Sequence, residues 1–114
     1  MVYVIQEIQG KNVIPASKYG ELKFLLKEGS QVTLSAGFVT NQLKMKLDKF
    51  NDEDYLLLIG DPVAIGLAVA IACHWNKGKC KLLKWDKQDK TYYPVEINIY
   101  QKGESDGEPS DTLK

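Results

Sequence analysis

The sequence contains no arginine: its 15 basic residues are all lysine, and they balance 15 aspartate and glutamate residues to a formal net charge of zero. Lysine carries a compact hydrated charge, whereas arginine offers the planar fork that grips phosphate or guanine through paired hydrogen bonds. The absence of arginine therefore argues against a protein that recognises phosphate or base edges through paired hydrogen bonds.

Cysteine and histidine are also scarce, with Cys73, His74 and Cys80 as the full set. A structural zinc site needs four ligands, and adjacent helical residues such as Cys73 and His74 point in different directions. Without a secretory signal, two cysteines are typical of reduced thiols in a cytosolic protein. We therefore expect no metal, no cofactor and a cytoplasmic location.

Long uninterrupted apolar runs are missing as well. The stretch from Tyr55 to Cys73 approaches membrane-spanning length, but Asp61 and Pro62 interrupt it. A charge at the centre of a membrane helix costs about 3 kcal/mol on insertion scales. The sequence therefore predicts no membrane segment.

The charge that is present is distributed unevenly. Residues 103–114 hold four acidic residues against Lys114, a net charge of −3, so residues 1–102 carry +3. The acidic segment is rich in glycine, serine and proline and has no aromatic residue, a composition typical of disorder. We expect one globular α/β domain over residues 1–102 and a disordered acidic tail over 103–114.

The first third of the chain has the pattern of strands. Residues 2–9 alternate as a strand, and residues 12–15 begin a second one that Pro15 interrupts. Glu21–Lys27 fits either a strand or a helix, with the strand favoured, and Gln31–Ser35 is rich in β-branched residues. Together these segments predict a three-stranded antiparallel meander.

The remainder alternates helix and strand. A helix beginning near Thr40, a buried strand at Tyr55–Ile59 and a helix at Pro62–Trp75 precede strands at Cys80–Trp85 and Tyr92–Tyr100. Asp61 is expected to cap the second helix and Gly78 to end it. Pro94 makes the last strand an edge. The pairing of the last two strands is expected to put one set of side chains on the inner face: Leu83, Trp85, Tyr93, Val95, Ile97 and Ile99. The prediction is an α/β protein with a mixed sheet.

The order β-β-β-α-β-α-β-β resembles the ribonuclease H-like fold. Nucleases of that fold place carboxylates on the first strand, the first helix and the end of the fourth strand. Asp61 matches the last position, while Glu7 and Asp48 are the only residues available at the others. A metal-dependent phosphodiester enzyme centred on Asp61 is therefore kept only as a third hypothesis.

Helix 62–75 has no polar face, and a 114-residue chain has little material to bury such a helix on all sides. Its small residues allow a close approach by another helix or sheet. We predict a non-enzymatic interaction protein that self-associates, as a homodimer, through this helix. The alternative is that a long loop or the first helix covers it within one chain. The candidate contact residues are Val63, Ile65, Gly66, Leu67, Val69 and Ala70.

A second hypothesis is a binder of single-stranded nucleic acid. The segment 75–93 mixes lysines with aromatic residues, so bases could stack while lysines neutralise phosphates. A solvated lysine-rich hairpin is the commoner explanation, and nucleic acid is not favoured. The candidate residues are Lys79, Lys81, Lys84, Trp85, Lys87, Lys90 and Tyr92.

Three segments, Asp54–Ala68, Leu82–Gln88 and Tyr92–Val95, are similar to small uncharacterised proteins of tailed marine bacteriophages. The resemblance covers residues 12–100 and carries no activity, cofactor or catalytic residue. It implies a small cytoplasmic protein made during infection, whose partner is a host or phage protein if it is not a second copy.

Overall fold

The structure is a computed structural model that describes residues 1–30 and 34–101. The predicted acidic tail at 103–114 lies outside these residues. The described elements are β1 (Val2–Gln6), a 3₁₀ helix (Ile14–Tyr19), β2 (Leu22–Leu26), α1 (Ala36–Lys46), β3 (Tyr55–Leu57), α2 (Pro62–Trp75), β4 (Lys79–Asp86) and β5 (Thr91–Asn98).

The five strands form one mixed sheet in the order β2-β1-β3-β4-β5. β1 to β4 are parallel to one another, and β5 runs antiparallel to β4. From β1 the chain moves outward to β2 and then crosses back to β3 on the other side of β1. The carboxyl ends of β1 and β3 therefore flank a topological switch point, where open α/β sheets commonly bind ligands.

The sheet separates two hydrophobic clusters. On one side, which we call the helix side, α1 and α2 pack against residues including Tyr3, Ile5 and Leu56. On the opposite side, the 3₁₀ helix contributes Ala16 to a cluster with Val2, Val4 and Leu57. Neighbouring residues of β1 and of β3 alternate between the two clusters, as the pleat of a strand requires.

The predicted α/β class and mixed sheet are confirmed, but the antiparallel meander is wrong. β1 and β2 pair in parallel, with Val2 opposite Leu22. Residues 14–19 form a 3₁₀ helix with Pro15 in its first turn, and this helix returns the chain to the start of the sheet. Glu21–Lys27 contains a strand, as favoured, while residues 31–33 of the third predicted strand lie outside the described residues. The ribonuclease H-like strand order is not confirmed.

The second half follows the sequence prediction more closely. β3, α2, β4 and β5 lie where expected, and α2 joins two parallel neighbours. α1 begins at Ala36 instead of near Thr40, although Val39 and Leu43 are buried as the spacing indicates. No helix in residues 1–30 or 34–101 is long and apolar enough to cross a membrane.

β5 is an edge strand, as Pro94 predicts. The Ile99 amide donates to the Gly78 carbonyl at 2.9 Å, and hydrogen-bonded and non-bonded pairs alternate along an antiparallel ladder. This alternation places Pro94 in a non-bonded pair, with its nitrogen on the outer edge. The middle of that edge therefore lacks a donor for another strand.

Candidate functional site

α2 is only partly covered, as its composition predicts. Its deeply buried residues include Ala64, Ala68 and Ala72. Of the six predicted contact residues, Val63, Gly66 and Ala70 are exposed, while Ile65, Leu67 and Val69 are half-buried. The exposed residues lie three or four positions apart and form one ridge along the helix.

One flank of α2 lies beside β4. The buried Cys73 and Cys80 thiols are neighbours in the same core cluster, so the end of α2 lies next to the start of β4. Ile65 and Val69 lie on the same flank as Cys73, because they precede it in steps of four. Both pack on the same core cluster as Leu82 and Ile97. This flank therefore faces the β4–β5 end of the sheet.

β5 extends this apolar surface beyond the helices. Paired residues of β4 and β5 share a face, so Ile97, Val95 and Tyr93 lie on the helix side with their partners Cys80, Leu82 and Lys84. Tyr93 and Val95 are each 39% exposed. The outer part of the helix side is therefore open to solvent.

We call the combined surface the α2–β5 face. None of its nine residues is charged, and Lys84, the partner of Tyr93, borders it on β4. Connected apolar surfaces are typical of interaction sites. Its residues are Val63, Ile65, Gly66, Val69, Ala70, Leu82, Tyr93, Val95 and Ile97.

Sequence reasoning found the helix half of this face and missed the β5 half. The predicted pairing placed Leu83 and Trp85 on one face with Tyr93 and Val95. The actual register pairs Leu83 with Pro94 and Trp85 with Tyr92, which puts them on the opposite side of the sheet. Shifting the register by one residue moves every side chain of a strand to the other face of the sheet. In a hairpin, the geometry of the turn fixes this register.

The predicted nucleic-acid residues do not share one surface. Lys79 pairs with Asp52 at 3.3 Å, and the Lys81 amine lies 4.3 Å from the centre of the Tyr55 ring. Lys84 is on the helix side of the sheet, whereas Lys79 and Lys81 are on the other. Lys87 and Lys90 lie in the turn between β4 and β5.

Trp85 and Tyr92, the two aromatic candidates, do lie together. Their ring centres are 4.9 Å apart in an edge-to-face arrangement. Trp85 is 40% exposed, while Tyr92 is buried and its hydroxyl donates to the Asn12 carbonyl at 3.4 Å. Burial raises the pKa of Tyr92.

These two rings line a cavity of about 310 Å³ that we call the carboxyl-edge cavity. It opens at the carboxyl ends of β3 and β4, beside the loop that follows β1. Its lining residues are Gly10, Lys11, Asn12, Leu58, Ile59, Leu83, Lys84, Trp85 and Tyr92. A second cavity of about 390 Å³ lies at the opposite end of β4, where Asp52, Asn76 and Lys79 bond to one another.

The two cysteines lie in the core. Cys73 and Cys80 are buried free thiols, and His74 is exposed beside Trp75. Burial, reinforced by the adjacent Cys73 thiol, raises the pKa of Cys80 to about 12. A thiol with a raised pKa is a poor nucleophile, because the thiolate is the reactive form.

Asp61 is the N-cap of α2. Its Oδ1 accepts from the Val63 amide at 2.7 Å, and Pro62 begins the helix. In residues 1–30 and 34–101, no group of three or more His, Cys, Asp or Glu side chains is arranged to hold a metal ion. The carboxylate of Asp61 is thus accounted for by capping.

The residue behind Asp61 was not singled out from the sequence. Gln6 is buried, and its side-chain oxygen accepts from the Asp61 amide at 2.8 Å. Its side-chain nitrogen donates to the Lys27 and Ser30 carbonyls, each at 3.3 Å. The sequence signal that could have identified Gln6 is its position as a polar residue at the end of an apolar strand.

Of the comparisons with known proteins, the one with protein families gives a match. Searches of curated proteins and of solved structures found no match to this chain. A scan against protein families matched residues 1–99 to a family described as phage Pam3 gp32-like protein. This match confirms the resemblance to phage proteins. The chain belongs to the phage Pam3 gp32-like protein family.

Proposed function

We propose that this phage-family protein works without catalysis, as an interaction protein that pairs with a second copy of itself through the α2–β5 face. The observation that carries the proposal is the apolar surface that joins the exposed ridge of α2 to the open part of the sheet. Val63 is 54% exposed at one end of this surface, and Ile99 extends it at the other at 62%. Covering it removes apolar area from water.

The chemistry of the face favours a second copy over a charged partner. A surface of one charge sign repels its own copy, whereas an uncharged surface does not. The face also combines two complementary shapes, a ridge with small residues at Gly66 and Ala70 and a flat sheet surface at Val95. In a two-fold dimer, the ridge of each subunit can lie on the sheet surface of the other.

The outer edge of β5 is a poorer alternative for pairing. Joining two sheets edge to edge needs a continuous row of donors and acceptors, and Pro94 removes a donor from the middle of the row. Glu96 adds a charge close to that position. The proposed contact therefore uses the face of the sheet and not its edge.

Light scattering or sedimentation across ~10–300 μM tests the proposal. We expect the wild type to form dimers, and Val95→Lys and Ala70→Lys each to weaken dimerisation by tenfold or more. Each variant would bury an unpaired charge at the contact, and tenfold corresponds to about 1.4 kcal/mol. Asn98→Lys is the matched control, because it adds the same charge on the opposite side of β5.

A wild-type protein that stays monomeric at ~100 μM would contradict self-association and leave a host or phage protein as the partner of the face. Dimers that survive Val95→Lys but not Ala70→Lys would limit the contact to the helices. We place this activity in the cytoplasm of the infected cell, because the two adjacent free thiols suit a reducing compartment.

A further inference from the structure

The carboxyl-edge cavity lies where the topology favours a ligand. The loop after β1 forms one wall and the ends of β3 and β4 form the others. In open α/β sheets, ligands bind outside the carboxyl ends of the strands near the switch point, which here lies between β1 and β3. The cavity is on the side of the sheet opposite α2, so its occupant would not compete with the α2–β5 face.

The wall of the cavity suits a planar group. The half-buried Ile59 supplies apolar surface above the fully buried Leu83, and the half-exposed Trp85 ring lies at the side. The Tyr92 ring packs against Trp85. Two hydrogen bonds hold Tyr92: its hydroxyl donates to the Asn12 carbonyl, and its main-chain carbonyl accepts from the Tyr19 hydroxyl at 3.0 Å. A fixed, exposed aromatic ring is a stacking surface for a nucleobase.

The charge of the cavity selects an anion. Lys11 and Lys84 line it, and no carboxylate does. In the part of the chain that the structure describes, neither lysine lies within 4.0 Å of a carboxylate. Lys11 is the better placed of the two, because Lys84 alternates toward the helix side of the sheet.

The size of the cavity limits the ligand. At about 310 Å³ it falls at the lower end of the range of about 300–1,000 Å³ for small-molecule sites. It can hold one base with its sugar phosphate, but not a dinucleotide. We infer that the carboxyl-edge cavity binds a nucleoside monophosphate, with the base on Trp85 and the phosphate at Lys11.

Two sources share this chemistry, a free nucleotide and the phosphorylated end of a single strand. We test both by titrating dTMP and a 5′-phosphorylated twelve-nucleotide dT strand, with tryptophan fluorescence as the readout. Trp75→Phe leaves Trp85 as the sole reporter. We expect saturable quenching by dTMP that is at least tenfold weaker for thymidine, which lacks the phosphate. A strand that binds more than tenfold tighter than dTMP identifies the strand end, and equal affinities identify the free nucleotide.

The variants distinguish the site from general charge attraction. Lys11→Glu should weaken dTMP binding by tenfold or more, whereas Lys44→Glu makes the same charge change on α1 and should leave it unchanged. Trp85→Phe removes the reporter, so its dTMP binding is measured by calorimetry and should be weaker by tenfold or more. The inference is overturned by no quenching at 5 mM of either ligand, by quenching that Lys11→Glu leaves intact, or by equal loss in both charge variants. Dimerisation is measured separately, so either proposal can fail alone.

Discussion

Gln6 is the residue that ties the carboxyl end of the sheet together. Its main-chain amide donates to the Ile59 carbonyl at 3.0 Å, and its side chain bonds the segments that follow β2 and β3. Gly60 packs directly against it, because a Cβ built on Gly60 would lie 2.6 Å from the Gln6 Cβ. Gly60 also has φ +134°, a conformation that side chains disfavour. One buried amide thus orders three chain segments around the switch point.

We predict that Gln6→Leu lowers the free energy of unfolding by about 2–3 kcal/mol. Leucine has nearly the same side-chain volume as glutamine but leaves the Asp61 amide and two carbonyls without their partner. Each buried unsatisfied group costs about 1–3 kcal/mol. Urea denaturation measures the change. Gln9→Leu is the matched control at an exposed position and should change stability by less than about 0.5 kcal/mol. Equal effects of the two variants would contradict the role of Gln6.

At the scale of elements, capping hydrogen bonds at its two termini determine where α2 begins and ends. Asp61 caps its first turn as the sequence predicts. At the other end, Lys77 takes the left-handed position with φ 57°, and Gly78 follows with φ 84° and donates to the Cys73 carbonyl at 2.7 Å. This is a Schellman motif with Gly78 one residue later than expected. Tyr100 packs so closely on Gly78 that a Cβ there would lie 2.6 Å from its ring.

We predict that Asp61→Ala destabilises the protein by about 1 kcal/mol, since it removes the acceptor for the Val63 amide. Asp61→Asn should retain most of the stability, because asparagine also caps helices well. Thermal unfolding of the pair, with Asp89→Ala in the β4–β5 turn as a control, measures the difference. A large loss on Asp61→Asn would mean that the carboxylate charge itself, and not its capping oxygen, is needed.

The elements that sequence reasoning located well are those whose signals are local. Caps at Asp61 and Gly78, the apolar run of β3 and the proline of β5 all act within a few residues. The caps lie at or within one residue of their expected places, and β3 begins at Tyr55 as expected but ends two residues earlier, at Leu57. Strand direction is different, because parallel pairing of β1 and β2 depends on how the 3₁₀ helix returns the chain. The face of β5 likewise depends on register, which is why half of the α2–β5 face was missed.

For the whole molecule, the sheet divides two proposed roles between its sides. The helix side carries the uncharged α2–β5 face, and the opposite side carries the cavity with Lys11 and Trp85. Residues 1–102 carry a net charge of only +3, which gives a weak field to draw in a partner from a distance. Recognition is therefore expected to rest on apolar area at one side and on local charge at the other.

Buried acidic groups with raised pKa values give the whole fold a predicted response to alkali. Burial raises the pKa of Cys80 from its ordinary 9.0 to about 12. Burial, followed by the charges of Asp54 and Asp48, raises the pKa of Tyr3, and burial raises that of Tyr92. Each group stays protonated in the native state at a pH where it ionises in the unfolded chain. The native state therefore binds more protons than the unfolded state.

The contribution of these groups to stability should accordingly be constant below about pH 8 and fall as the pH rises through 9 and 10. The Cys80 contribution is present below the unfolded pKa of 9.0 and is lost toward the folded value of about 12. Urea midpoints measured between pH 7 and 10.5 test this. Cys80→Ala removes the thiol and should flatten the decline between pH 8 and 10, whatever its own cost in packing. The tyrosines, whose ordinary pKa is 10.0, should leave a residual decline above pH 10. A wild-type midpoint that does not fall by pH 10, or a Cys80→Ala curve parallel to wild type, would show that the Cys80 thiol is not shielded by the fold.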